Sequence, residues 1–141
     1  MRGLACAVRL SVMLVALSWL AGCAAPGPSA QPAWAPVPIQ DFKSVAGKWE
    51  GLMTRLPRAA EEDWVRVMIH DDGAYEFASY RTIGVLTGKG TMELGNGVVT
   101  ATSERGVATL TLYQAGDRRM LRVAAKARDG LKYEADLAPA K

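Results

Sequence analysis

In this chain of 141 residues, histidine, the side chain that most often acts as a general base, occurs only once. His70 is the only histidine, and Asp71 and Asp72 follow it directly. A serine–histidine–aspartate hydrolase would have to use this imidazole as its base. The segment Asp71-Asp72-Gly73, however, is typical of a tight turn, where aspartates bond to the backbone and tolerate unusual dihedral angles. We therefore interpret His70 as a turn residue and expect no catalytic residues, so the protein is predicted not to be an enzyme.

Metal and phosphate sites are not predicted from the remaining residues either. One histidine without paired ligand spacing does not make a zinc site, and residues 71–73 are too short for a calcium loop. The glycine-rich segment 84–91 lacks the spacing of a phosphate-binding loop and the helix that follows one. We expect no metal and no cofactor.

Cys23 is the one nucleophile that stands in a recognisable context. Arg2 and Arg9 precede an uncharged apolar run, residues 10–20, and two small residues separate that run from Cys23. As a helix the run would span about 16 Å, roughly half the hydrocarbon thickness of a bilayer. This length fits the apolar region of a signal peptide rather than a membrane span. A thiolate is a strong nucleophile, and small neighbours allow a peptidase to approach.

The segment Leu20-Ala21-Gly22-Cys23 resembles the lipobox of bacterial lipoproteins. This resemblance implies that Cys23 receives a diacylglyceryl group and that residues 1–22 are removed as a signal peptide. The alternative is an ordinary secretory signal with an incidental cysteine. Ala24 and Ala25 stand where an aspartate retains enteric lipoproteins in the inner membrane. We therefore expect a lipid-anchored protein of the cell envelope, at the outer membrane of a diderm bacterium, with the membrane as a partner through its lipid.

The charge balance argues against nucleic acid as a partner. The full chain has 17 basic and 14 acidic side chains. Arg2 and Arg9 belong to the predicted signal peptide, and without them 15 basic side chains remain. These charges are scattered singly along the sequence, whereas a nucleic-acid-binding domain usually has a strong basic patch.

Residues 23–40 form a linker rich in proline and alanine. Five of the seven prolines stand here, at positions 26, 28, 32, 36 and 38. Proline at this density favours an extended chain without regular hydrogen bonding. We expect this linker to connect the lipid to a single domain, residues 41–141.

From residue 41 onward the hydropathy pattern alternates with a period of two, which predicts strands. Asp41 is expected to cap one short helical turn before the first of them. The stretch 81–93 is the least regular, because its glycines weaken a strand and are typical of a bulge or bend. The other predicted strands are residues 48–56, 64–70, 74–80, 98–103, 107–113, 119–127 and 131–138.

An alternating sheet has one apolar face that must be buried. No segment after residue 41 has an apolar helical stripe that could cover it, so the sheet must close on itself or fold into two layers. We predict an all-β domain, a small antiparallel up-and-down barrel of about eight strands. A β-sandwich is the alternative.

The residues Gly47 and Trp49 open the first predicted strand, directly after the short helical turn. This Gly-x-Trp motif resembles the signature of lipocalin-like (calycin) barrels, in which the tryptophan packs across the closed end. The resemblance implies structural roles for Gly47 and Trp49. It also implies that an arginine of a late strand, Arg119 or Arg122, stacks over the indole. The chain differs from lipocalins in being shorter and in lacking their long helix and disulfide.

The predicted interior residues are apolar, so any molecule held inside the barrel should be apolar too. They are Leu110, Leu112, Leu121, Val123 and Tyr133. The sequence favours an interior that side chains fill, while alanines at 108, 124, 125 and 135 leave room for a cavity. We expect an envelope protein that binds a small apolar molecule or lipid in the barrel or at its mouth. The alternative is a protein-interaction module, such as an assembly factor or a protease-inhibitor-like barrel.

Overall fold

The computed structural model describes residues 33–57, 62–81 and 84–141. The predicted signal peptide, Cys23 and most of the linker lie outside the described residues. A 3-10 helix, Phe42–Ser44, precedes the second of nine described strands. These strands are β1 (Ala35–Val37), β2 (Gly47–Leu56), β3 (Glu62–Ile69), β4 (Ala74–Arg81), β5 (Gly84–Gly95), β6 (Val98–Ser103), β7 (Gly106–Ala115), β8 (Arg118–Ala127) and β9 (Lys132–Pro139).

Strands β2 to β9 form a closed antiparallel barrel of eight strands. Each pairs with the next one in sequence, and β9 pairs back with β2, from Trp49 opposite Pro139 to Leu56 opposite Lys132. Closure gives every one of these strands a neighbour on both sides, which removes unpaired edges. The predicted small up-and-down, lipocalin-like barrel is confirmed, and the sandwich alternative is wrong.

The two ends of the barrel differ, because successive turns of a meander alternate between them. The closed end holds the start of β2 with Trp49 and the turns after β3, β5 and β7. The open end holds the last residues of β2, β4, β6 and β8 and the turns at residues 104–105 and 128–130. The two names are used in this sense below.

Strand β1 belongs to the segment that the sequence assigns to the linker. Ala35–Val37 pairs with Gln114–Leu112 of β7, beyond the point where the β6 ladder ends at Val99 opposite Leu110. The amide of Ile39 then donates to the carbonyl of Gly97 at 2.8 Å. The chain therefore packs against the barrel before residue 41, and it enters at the closed end.

Strand β5 is continuous through the glycine-rich stretch that was expected to bend. Gly88 and Gly90 face Phe77 and Tyr75 of β4. A Cβ on Gly88 would stand 2.2 Å from Phe77 Cε1, and one on Gly90 would stand 3.1 Å from Tyr75 Cε1. Aromatic rings that pack over glycines of a neighbouring strand cover the exposed backbone and stabilise the pairing. These glycines make room for two rings inside the barrel rather than interrupting the strand.

The most tightly packed part of the core lies in the closed half of the barrel. Its most deeply buried side chains are Val45, Trp49, Ile69, Val99, Leu121 and Leu137, each at most 2% exposed. Five of them lie on different strands and Val45 lies in the loop before β2, so this cluster holds the ring of strands together. Within the described part of the chain, no helix has the length and apolar character to span a bilayer.

Candidate ligand-binding cavity

Trp49 closes one end of the barrel and is held there by contacts on two sides. Its indole Nε1 donates to the carbonyl of Val45 at 2.8 Å. The guanidinium carbon of Arg119 lies 5.4 Å from the centroid of the indole ring, within the range of a cation–π contact. Nη2 of the same arginine donates to the carbonyl of Ser44. Of the two arginines that the sequence left open, Arg119 is the one over the indole.

The 3-10 helix beside Trp49 is shaped by Asp41, the residue predicted to cap it. Asp41 Oδ1 accepts from the amide of Ser44 at 2.8 Å, and the Ser44 hydroxyl donates to the Asp41 carbonyl at 2.6 Å. Gly47 has a φ of +120°, a conformation that residues with a Cβ rarely adopt. These contacts direct the carbonyls of Ser44 and Val45 toward Arg119 and Trp49.

Arg122 lies on the outer surface, paired with Asp136 of β9. Its Nε and Nη2 donate to the two carboxylate oxygens of Asp136 at 2.7 and 2.8 Å. These hydrogen bonds raise the pKa of Arg122 and hold the pKa of Asp136 below its usual range. The pair joins β8 to β9 on the side of the barrel that faces solvent.

The open half of the barrel holds a cavity of about 530 Å³. This volume falls within the usual range of ligand pockets, about 300–1,000 Å³. The expectation of a fully packed interior is therefore wrong. The apolar residues that line the cavity are Met53, Val65, Val67, Tyr75, Phe77, Leu86, Met92, Ala101, Val107, Ala108, Leu110, Val123, Ala125, Ala127, Tyr133, Ala135 and Leu137.

The predicted interior residues divide between this cavity and the packed core. Leu110, Val123 and Tyr133 line the cavity. Leu112 and Leu121 lie in the closed half, where they are 5% and 0% exposed. Ala108, Ala125 and Ala135 contribute small side chains to the cavity wall, as the sequence indicated. Ala124 instead lies on the outer face of β8, paired with Thr109 and Glu134.

Basic residues stand where the cavity opens. Arg81, Arg105, Lys126 and Arg128 line it, together with one acid, Asp129. This group was not predicted, because Arg81, Arg105 and the pair Lys126 and Arg128 are far apart in the chain. Their positions at the ends of strands β4, β6 and β8 were the available signal, since these strand ends share one end of an up-and-down barrel.

Arg81 differs from the other three cations because it has an internal partner. Its Nε lies 2.9 Å from Asp63 Oδ2, and the same carboxylate oxygen accepts from the hydroxyl of Ser79 at 3.2 Å. Ser79 is fully buried, so the serine–aspartate contact satisfies a polar group that would otherwise be costly to bury. This cluster of Asp63, Ser79 and Arg81 connects β3 to β4 at the open end.

Comparisons with protein-family models, with curated proteins and with solved structures found no match. The barrel, its cavity and the charges around the opening are therefore the observations from which a function can be argued. The lipobox of Cys23 and the kinship implied by Gly47 and Trp49 stay predictions from sequence motifs.

The residues first considered for chemistry lie at the closed end, away from the cavity. His70, Asp71 and Asp72 are exposed in the β3–β4 turn, where Asp72 Oδ1 accepts from the amide of Ala74 at 2.9 Å. These are the contacts of a turn. Among residues 33–57, 62–81 and 84–141, no three acidic, histidine or cysteine side chains cluster closely enough to hold a metal ion.

The outer surface carries one row of exposed apolar side chains across four neighbouring strands. Leu52 pairs with Trp64, Trp64 with Tyr80, and Tyr80 with Val85. Their exposed fractions are 49%, 43%, 38% and 58% in that order. We call these four residues the outer apolar row. A contiguous apolar patch on a soluble surface often marks an interaction site.

Proposed function

We propose that this is a non-enzymatic, lipid-anchored protein of the cell envelope whose barrel binds a small apolar molecule or a lipid. The observation that supports it most is the cavity of about 530 Å³ in the open half of the barrel. A ligand bound there would move from water into contact with aliphatic and aromatic side chains. Each Å² of apolar surface removed from water contributes roughly 25 cal/mol of favourable transfer free energy, from which the costs of association are subtracted.

The proposed lipid anchor is compatible with access to this cavity. The anchor rests on the lipobox at Leu20–Cys23 and on the apolar run before it. The chain enters the barrel at the closed end, where β1 pairs with β7. The opening is at the other end of the barrel from this entry point. A neutral residue after Cys23 favours the outer membrane of a diderm bacterium.

Binding can be tested with N-phenyl-1-naphthylamine, a neutral apolar dye whose fluorescence rises on leaving water. The protein would be residues 23–141 with Cys23→Ser, so that no attached lipid competes for the cavity. We expect one site per chain. Ala125→Trp should abolish binding, because residue 125 lines the cavity. Ala124→Trp is the matched control, because Ala124 is adjacent in sequence but exposed on the outer face. A folded protein that takes up no dye, or equal binding by both variants, would contradict the proposal.

The anchor is tested separately in cells that make the full chain. Cys23→Ser should prevent incorporation of labelled palmitate and release the protein from the membrane fraction. Cys6→Ser, within the predicted signal peptide, should change neither result. Membrane retention of the Cys23→Ser variant would show that another feature holds the protein there.

The outer apolar row favours a second candidate function, a protein-interaction module of the envelope. Trp64 and Tyr80 are exposed and are of the types enriched at protein interfaces. Arg66 Cζ lies 5.8 Å from the Tyr80 ring centroid, which gives this surface a charged margin. The occupant in this proposal is an envelope protein with a complementary apolar surface.

Site-specific photo-crosslinking tests this second function. A photoreactive residue at position 64 should yield one abundant adduct, and the same residue at position 124 on another face should not. The partner protein in this adduct, once identified and purified, should bind the barrel. Trp64→Ala should weaken that binding at least about tenfold. Equal labelling from both positions, or binding that Trp64→Ala leaves unchanged, would contradict it.

A further inference from the structure

The opening of the cavity is shaped by two turns that are joined to each other. The β6–β7 turn carries Glu104 and Arg105, and the β8–β9 turn carries Arg128, Asp129 and Gly130. The amide of Arg128 donates to the carbonyl of Arg105 at 2.9 Å. This bond fixes the two turns side by side, so the backbones of Arg105 and Arg128 are adjacent. Both arginines line the cavity.

The cations at this opening outnumber the acids that could neutralise them. Asp63 pairs with Arg81 at 2.9 Å. Asp129 Oδ1 accepts from the amide of Leu131 at 3.0 Å, so this carboxylate is held in its own turn and keeps its negative charge. Glu104 is exposed on the other turn. In the described ranges, Arg105, Lys126 and Arg128 have no ion-pair partner within 4.0 Å. We call these three residues the basic rim.

A basic rim around an apolar cavity discriminates between ligands by their head groups. An apolar chain inside the barrel leaves its polar end at the opening, next to these side chains. A guanidinium presents a planar fork of donors that matches a carboxylate or a phosphate, and charge-assisted hydrogen bonds are stronger than neutral ones. A cationic head group would be repelled, and a neutral one would gain less.

We propose that the cavity selects an anionic amphiphile, with its apolar chain in the barrel and its carboxylate or phosphate at Arg105, Lys126 and Arg128. This inference rests on the proposed function, because it names the class of ligand for the same cavity. Arg81 is not included, since Asp63 already satisfies it.

The test compares four ligands that share a ten-carbon chain: decanoate, decyl phosphate, decanol and decyltrimethylammonium. Affinities for residues 23–141 with Cys23→Ser are measured by calorimetry below the micelle concentration of each ligand. One or both anions should bind at least about tenfold more tightly than decanol. The cation should bind more weakly than decanol. The anions' advantage should shrink in about 0.5 M salt, because salt screens exposed charges. The two anionic ligands distinguish a carboxylate head group from a phosphate.

Variants then assign the preference to the basic rim. Arg105→Gln with Arg128→Gln should reduce the affinity for the preferred anion about tenfold and leave decanol binding unchanged. Lys89→Gln with Arg118→Gln is the control, because it removes the same net charge from residues that do not line the cavity. Far- and near-ultraviolet circular dichroism checks that both double variants are folded.

The outcomes separate this inference from the function on which it rests. Decanol bound as tightly as the anions, or equal losses in the two double variants, would overturn the anionic preference and leave apolar binding standing. If none of the four ligands bound to the folded protein, both proposals would fail.

Discussion

Arg119 of β8 lies over the indole of Trp49 on β2, with its guanidinium carbon 5.4 Å from the ring centroid. β9 stands between these two strands, so the contact crosses the interior instead of following the sheet. The same arginine donates to the carbonyl of Ser44 and so ties the 3-10 helix to β8. One cation therefore fastens β2, the helix before it and β8 together at the closed end.

Trp49→Ala should destabilise the protein by about 3–5 kcal/mol, because it removes a buried aromatic side chain and leaves a cavity. The free energy of unfolding can be measured with urea. Trp64→Ala is the matched control, since the side chain of Trp64 is 43% exposed, and it should cost less than about 1 kcal/mol. Similar losses in the two variants would show that Trp49 is not the plug of the barrel.

The closed end could be predicted in outline from the sequence. The alternation of β8 could also have identified Arg119 as the arginine that lies over the indole. The pattern placed Leu121, Val123 and Ala125 on the inner face of β8. Since side chains in a strand alternate between faces, Arg119 shares that face and Arg122 does not. The structure agrees, because Leu121 is fully buried and Arg122 pairs with Asp136 outside. The motif alone left both arginines open; the period of the strand distinguishes them.

Gly88→Ala should destabilise the barrel, because the added Cβ would stand 2.2 Å from Phe77 Cε1. We expect a loss of about 1–3 kcal/mol from this overpacking. Gly95→Ala on the same strand is the control, since a Cβ there meets nothing within 4 Å. In a Phe77→Ala background the loss from Gly88→Ala should largely disappear, and a double-mutant cycle measures this coupling. An undiminished loss in that background would contradict the contact.

The strand β5 and the cavity show where the sequence was insufficient. Glycines at 84, 88 and 90 have low strand propensity, so local reasoning predicted a bend. The register that sets Phe77 opposite Gly88 depends on a long-range pairing, which no local pattern contains. The volume of the interior is similarly a sum over all eight strands. Small differences in where each inward side chain lies decide whether the interior is filled or holds a cavity. Alternation therefore predicts an inner face but not a cavity.

Asp136→Asn should lower stability in a manner that depends on pH. The hydrogen bonds from Arg122 hold the pKa of Asp136 below its usual range in the folded state. The stabilisation is therefore complete above the unfolded-state pKa of about 3.9 and is lost as the pH falls through the lower folded-state value. Because both side chains are about half exposed, we expect only about 0.5 kcal/mol at neutral pH.

Urea unfolding from pH 7 down to pH 3 measures this difference between Asp136→Asn and the parent. Glu134→Gln is the control for lost charge, because Glu134 is exposed on the same strand and has no ion pair in the described ranges. A difference for Asp136→Asn that grew as the pH fell would have the wrong sign for this pair.

Filling the interior should have opposite consequences in the two halves of the barrel. Ala108 lines the cavity, so Ala108→Leu adds atoms to empty space and should change stability by less than about 1 kcal/mol. It should also weaken binding of the apolar dye. Leu121 is fully buried in the closed half, where Leu121→Phe must displace packed neighbours and should cost about 1–3 kcal/mol. Urea unfolding and dye titration of the two variants measure both effects. If Ala108→Leu proved as destabilising as Leu121→Phe, the open half would be packed as tightly as the closed half, and the cavity could not hold a ligand.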